Sequence, residues 1–131
     1  MKVLALDYGA ARTGVAISDA TGTLARPLTV VERAASEPGL RRLAELIVAE
    51  GAERIVVGLP LTLKGEHGAQ ADETARFLSA LRAAVDVPVE SFDERFTTAL
   101  AASGPSARSP EDARAAAHLL ESYLTWTSAN P

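Results

Sequence analysis

Three strand-like runs open this chain, and the turns between them are too short for anything but antiparallel pairing. Residues 3–7, 13–19 and roughly 23–33 are apolar or alternating, separated by Gly-containing turns that include Thr21-Gly22. A parallel connection needs a crossover of about a dozen residues or more, so these runs form a meander. The period then changes. Ser36 can cap a helix in which Leu40, Leu43, Ala44, Ile47 and Val48 make one apolar stripe, stopped by Gly51. Arg54 to Pro60 is a continuous apolar run of the kind found in doubly buried parallel strands. Helical spacing returns over 69–85, with Phe77, Leu78, Leu81, Ala84 and Val85 inward. Val87 to Phe92 reads as a further strand, and Ser109 to about Trp126 as a last helix.

The resulting order, β-β-β-α-β-α-β-α, predicts an α/β fold: a mixed five-stranded sheet, its first three strands antiparallel, flanked by helices and completed by right-handed crossovers. With no long linker or internal repeat, residues 1–131 read as a single domain. In such a sheet the carboxyl ends of strands 1, 4 and 5 share one edge, where α/β ligands bind. Asp7, Gly58-Leu59-Pro60 and Asp93-Glu94 stand at those ends.

Composition narrows the chemistry. Cysteine is absent, which excludes disulfides, thiol nucleophiles and thiolate metal sites. No apolar stretch approaches the ~18 residues of a membrane span, and Lys2 leads straight into a strand, so a cytoplasmic protein is expected. The net charge of -4 lacks the basic footprint of a nucleic-acid binder, but a nuclease site is itself acidic and local patches outweigh the sum. Of the 13 cations, 11 are Arg and 2 are Lys, a bias that suits phosphate contacts and equally fits compositional drift.

Two acidic residues carry more than one reading. Asp7 ends an apolar run, where a metal ion or a phosphate-bearing substrate would account for a carboxylate; so would hydrogen bonds to turn amides. Asp112 completes a capping-box shape, Ser109-Pro110-Glu111-Asp112. Yet Asp112, Ala116 and Leu120 fall at i, i+4 and i+8, with Ala113, Ala117 and Leu124 on the same stripe, so Asp112 tops the face that packs on the sheet.

These residues also carry a family resemblance. The segment Asp7-Tyr8-Gly9-Ala10-Ala11-Arg12-Thr13-Gly14-Val15-Ala16-Ile17-Ser18-Asp19 resembles the opening signature of the YqgF/RuvX family of Holliday-junction-resolvase-like nucleases. Val57-Gly58-Leu59-Pro60-Leu61, with Gly65 and Gly68, is similar to its second block, and Asp93-Glu94-Arg95-Phe96-Thr97-Thr98 to its third. Asp112, Ala115-Ala116 and Leu119 to Leu124 resemble its last helix. The resemblance spans essentially the whole chain in order. It implies a ribonuclease H-like fold, metal-dependent phosphodiester hydrolysis, and a role in maturing the 5′ end of pre-16S rRNA, in resolving branched DNA, or both. RNA or branched DNA is then the partner, with the pre-30S ribosome where rRNA is the substrate; the sequence is compatible with a monomer or a homodimer. There are two departures. Ala101 to Pro110 lacks the Lys-rich loop often seen before the last acidic residue, and Glu111 stands where an apolar residue is usual.

The chemistry so implied needs an activated water and a stabilised leaving oxygen, which two divalent ions ~4 Å apart supply. Carboxylates suit Mg²⁺ or Mn²⁺, and a chain with two His and no Cys is poor material for zinc. On this reading Asp7 bridges the ions while Glu94 and Asp112 each hold one. Neighbouring strand residues face opposite sides, so only one of Asp93 and Glu94 reaches them, and Glu94 is preferred. Arg12, Lys64 and Arg95 are the candidate substrate contacts, Arg12 reading equally as a surface or salt-bridged residue. The Leu63–Gly68 loop precedes a helix N-terminus suited to backbone phosphate. His67 reads as exposed, His118 as structural, and Tyr123 and Trp126 as packing. Two rivals belong to other classes: the phosphate-binding hairpin of actin-like ATPases and sugar kinases, and a non-catalytic RNA-binding ribosome-assembly factor.

Overall fold

A computed structural model describes residues 1–59, 68–93 and 111–129. Its elements run β1 (Val3–Asp7), β2 (Arg12–Ser18), β3 (Ala25–Glu32), α1 (Glu37–Glu50), β4 (Arg54–Leu59), α2 (Ala69–Ala84), β5 (Val89–Asp93) and α3 (Glu111–Ala129). The five strands make one sheet in the order β3-β2-β1-β4-β5. β1 is antiparallel to β2, and β2 to β3, whereas β4 is parallel to both β1 and β5. The expected meander and crossovers are therefore present, and the carboxyl ends of β1, β4 and β5 line one edge.

The pleat divides the core in two. Leu4, Leu6, Val15, Ile17, Ile55 and Val57 pack beneath α1 and α2, against Leu43, Ile47, Phe77 and Leu81. Val3, Ala5, Ala16, Val56 and Phe92 point the other way, beneath α3 and its Ala116, Leu119, Leu120 and Tyr123. Small residues on that second face let α3 lie close to β1 and β2, which sets the position of its first turn.

Local chemistry explains where several elements begin and end. Asp19 accepts from the amides of Thr23 and Leu24 at 2.8 and 2.9 Å and from the Thr21 hydroxyl. Those bonds, the Thr21 hydroxyl foremost, hold its carboxyl well below the usual carboxylate range. A depressed carboxyl stabilises the folded turn above the ordinary carboxylate range and loses that contribution progressively as pH falls below it. They also keep Thr23 and Leu24 in the turn, so β3 starts at Ala25 rather than near residue 23. At the other end Arg33 adopts a left-handed conformation (φ 47°), and the strand stops at Glu32. β5 begins two residues later than expected, at Val89, because Pro88 has no amide to give the ladder; its carbonyl accepts from Ile55 at 2.9 Å.

Two helix stripes also differ in detail. Ser36 caps α1 as expected, accepting from the Gly39 amide at 3.2 Å, and Gly51 closes it in the left-handed region (φ 68°). Leu43 and Ile47 are buried, but Leu46 is inward and Val48 is 82% exposed. Gly39 sits against the Arg33–Ala34 backbone, where a Cβ would meet the Arg33 carbonyl oxygen at 2.1 Å. Leu46, two turns later, lies on the same face as Gly39, so the face pressed to that backbone turns Leu46 inward and leaves Val48 out. In α2, Phe77, Leu78 and Leu81 are buried as expected, whereas Ala84, in the last turn, is exposed because the chain leaves the helix at Val85. Removing the Ser36 cap, Ser36→Ala, should cost about 1 kcal/mol of unfolding free energy, with unchanged catalysis; denaturant titration measures it, and an unaltered midpoint would show the cap contributes nothing.

Candidate active site at the carboxyl edge of the sheet

Asp7 ends β1 on the parity of Val3 and Ala5, which places it on the α3 face. Its antiparallel partner on β2 is Gly14. Directly over Gly14 lies the first turn of α3: a Cβ at that position would meet the Asp112 carbonyl oxygen at 1.8 Å and the Ala113 nitrogen at 3.0 Å. A side chain of any size at 14 would push the helix off the sheet. Glycine here therefore brings the backbone of residue 112, far away in sequence, against the β2 position that pairs with Asp7.

Arg12 opens β2 two residues before Gly14, on the same face. Its Nε lies 3.3 Å from Asp112 Oδ2, with side chains 66% and 38% exposed respectively. The connection from β1 to β2 is braced by Thr13, fully buried, whose hydroxyl lies 3.4 Å from both the nitrogen and the carbonyl oxygen of Gly9. Tyr8, next to Asp7, stacks on Phe77 of α2 at 4.4 Å and 17°. Burial, reinforced by the Glu73 carboxylate, pushes its phenol up, so it stays neutral. The strand tip that carries Asp7 is thus fixed on one side by an aromatic stack and on the other by a bonded turn.

The third strand end divides by parity. Leu59 of β4 pairs with Asp93 of β5. Glu90 and Phe92 face α3: Glu90 accepts from the Tyr123 hydroxyl, and the Phe92 ring stands edge-on to Tyr123 at 5.6 Å and to Trp126 at 6.0 Å. Asp93 alternates to the opposite face, away from Asp7 and Asp112. Glu94, Arg95 and Lys64 lie outside the described residues, as do Pro60, His67 and the Ser109-Pro110 portion of the capping box. Among the described residues no group of three or more His, Asp or Glu side chains is gathered as a metal site.

The remaining marked residues behave as packing. His118 lies part-buried on α3, its Nδ1 3.8 Å from Glu121. Tyr123 is buried and meets Arg54 Nη1 at 3.2 Å as well as Glu90; burial and the Glu90 hydrogen bond push its phenol up. The residue that sequence reasoning passed over is Gly14, although a glycine inside a strand pattern is itself a sign of close backbone approach. No described helix is long and apolar enough to cross a membrane.

A mixed sheet in the order β3-β2-β1-β4-β5, backed by helices on both faces, with acidic residues where β1 meets the last helix, defines an α/β protein of the ribonuclease H-like class. The family model described as "RuvX: Holliday junction resolvase" matches residues 1–126, and the chain belongs to that family of nucleases. A relative from Chloroflexus aurantiacus, named "Putative pre-16S rRNA nuclease", is 39% identical over 137 residues, covering 98% of this chain and 90% of its own. Another of the same name, from Rubrobacter xylanophilus, is 46% identical over 131 residues, covering 94% and 91%. Among solved structures, the chain resembles T. thermophilus RuvC in complex with Holliday junction substrate, with a TM-score of 0.69 at 17% identity, over 98% of this chain and 96% of that one. At that identity the likeness shows the fold alone.

Proposed function

We propose that this nuclease is a divalent-metal-dependent endonuclease acting on structured nucleic acid, with the 5′ end of pre-16S rRNA as its physiological substrate and branched DNA as the second candidate. The observation that carries the site is the approach of α3 to Gly14, which sets Asp112 beside the strand end bearing Asp7. The relatives' name supports the RNA substrate.

The donor chemistry fits a hard divalent cation. Asp7 and Asp112 offer oxygen ligands, and the charge at Asp112 already attracts a cation, the Arg12 guanidinium. Asp7 and Asp112 would hold Mg²⁺ or Mn²⁺ together with Glu94. Glu94 is preferred to Asp93 because strand alternation turns Asp93 to the far face. When bound, the metal supplies an activated water and charge stabilisation at the leaving oxygen. The chain itself supplies position: the stacked Tyr8 and the Thr13-braced turn hold Asp7, and Gly14 holds Asp112. Arg12, with Lys64 and Arg95, supplies cationic contacts for the phosphate backbone, which an acidic protein needs locally.

The direct test compares structured RNA, a four-way DNA junction and a linear duplex, each with and without Mn²⁺. Mn²⁺-dependent cleavage of structured RNA above the other two is expected. Binding without cleavage would replace the enzyme by an assembly factor, and ATP turnover would favour the nucleotide-binding hairpin. Affinity should also fall steeply with salt, and Arg12→Ala should lower the slope of log affinity against log salt by about one on RNA and DNA alike. A slope that Arg12→Ala leaves alone would take Arg12 out of the substrate contact.

A further inference from the structure

The first turn of α3 rests on Gly14, the strand partner of Asp7, and presents the Asp112 carboxylate at that edge of the sheet. Among the described residues Arg12 brings a cation to it, its Nε 3.3 Å from Asp112 Oδ2. We propose that Arg12 is a resident counter-ion for the cation site: it occupies the Asp112 carboxylate in the metal-free protein, yields it to the divalent ion, and is thereby released toward substrate phosphate. The inference rests on the metal-site reading above and adds to it an order of events and an energetic coupling between metal and substrate.

The geometry identifies which partner moves. Asp112 is held through its main chain, because its carbonyl oxygen sits on Gly14 with no room for a methyl group between. Arg12 is held by its main chain too, paired across to Glu32 on β3, but its side chain is long and 66% exposed. The guanidinium can therefore leave while the carboxylate stays where a ligand is wanted. The pair is weak enough to be displaced, since exposed ion pairs contribute little net stability, whereas carboxylates are first-choice ligands for Mg²⁺ and Mn²⁺. A guanidinium freed at this position remains beside Asp7 and Asp112, on the face and edge where a phosphodiester would have to lie. Arg12 on this account serves twice, neutralising Asp112 when no metal is bound and contacting phosphate when one is.

The prediction has a signature that a purely structural salt bridge lacks: removing Arg12 should move metal affinity and nucleic-acid affinity in opposite directions. Mn²⁺ binding to the full chain, without nucleic acid, can be followed by electron paramagnetic resonance for wild type, Arg12→Ala, Arg12→Lys and Asp112→Asn. Arg12→Ala should bind Mn²⁺ about two- to fivefold more tightly, the range over which an exposed ion pair competes. Arg12→Lys, which keeps the charge, should stay near wild type, and Asp112→Asn should bind at least about tenfold more weakly. If Asp112→Asn weakens Mn²⁺ binding but Arg12→Ala leaves it unchanged or weaker, the counter-ion role is overturned and the metal site stands. If Asp112→Asn binds Mn²⁺ like wild type, the metal-site reading fails and the inference fails with it.

Discussion

Asp7→Asn should abolish Mg²⁺- or Mn²⁺-dependent cleavage while leaving the protein folded. Changes in the second shell of a metal site already cost about 10–100-fold, so loss of a direct ligand should exceed about 10²-fold in rate. Asn is close in shape to Asp, and the strand tip is fixed by contacts that do not involve the carboxylate charge: the Tyr8–Phe77 stack and the Thr13 bonds to Gly9. The melting temperature without divalent ions should change little. Asp112→Asn provides the companion measurement. A lost helix cap would lower stability by about 1 kcal/mol and spare turnover at permissive temperature; a lost ligand would do the reverse. Folded, nearly inactive protein is expected for both variants. Full activity in Asp7→Asn, in preparations free of contaminating nuclease, would remove the metal site from this edge of the sheet.

The parts of this fold legible in the sequence are those that local physics decides. Turns such as Thr21-Gly22 leave no alternative to an antiparallel meander, and Arg54–Leu59 reads as a buried parallel strand because both faces of β4 are covered. Period sets the width of a helical stripe but not its phase. The phase that buries Leu46 and exposes Val48 puts Gly39 against the Arg33 backbone, a tertiary contact that apolar periodicity does not register because glycine has no side chain. The start of β5 at Val89 was readable in principle, since Pro88 cannot donate to a ladder. At the site, Asp7 and the sheet-facing placement of Asp112 followed from strand order and stripe. A salt-bridged Arg12 was one of the readings left open, but Asp112 as its partner did not follow, because the pair joins a strand start to the last helix and depends on how closely α3 approaches β2. The choice of Glu94 over Asp93 rested on alternation, and β5 supplies the parity through Glu90 and Phe92, both turned to α3.

Gly14→Ala tests that close approach, and its effect should be large. On backbone grounds alone, Ala in a strand is slightly favourable, by about 0.5–1 kcal/mol over Gly. Here the added methyl would meet main-chain atoms, the Asp112 carbonyl oxygen at 1.8 Å and the Ala113 nitrogen at 3.0 Å, which have no rotamer to give way. The first turn of α3 must lift, and with it the packing of Ala113, Ala116 and Ala117 against the sheet loosens. Overpacking of this severity costs about 3 kcal/mol or more, so the melting temperature should drop by roughly 10 °C. Gly51→Ala is the control. It also meets strain, from a left-handed backbone (φ 68°), but nothing lies within 4 Å of its Cβ, so it should cost only about 1 kcal/mol and keep full activity. Gly14→Ala should lose cleavage even at temperatures where circular dichroism shows it folded, because lifting the helix carries Asp112 away from Asp7. A Gly14→Ala protein as stable and as active as wild type would mean that α3 does not rest on β2 at this point, and that the two aspartates are not held together by it.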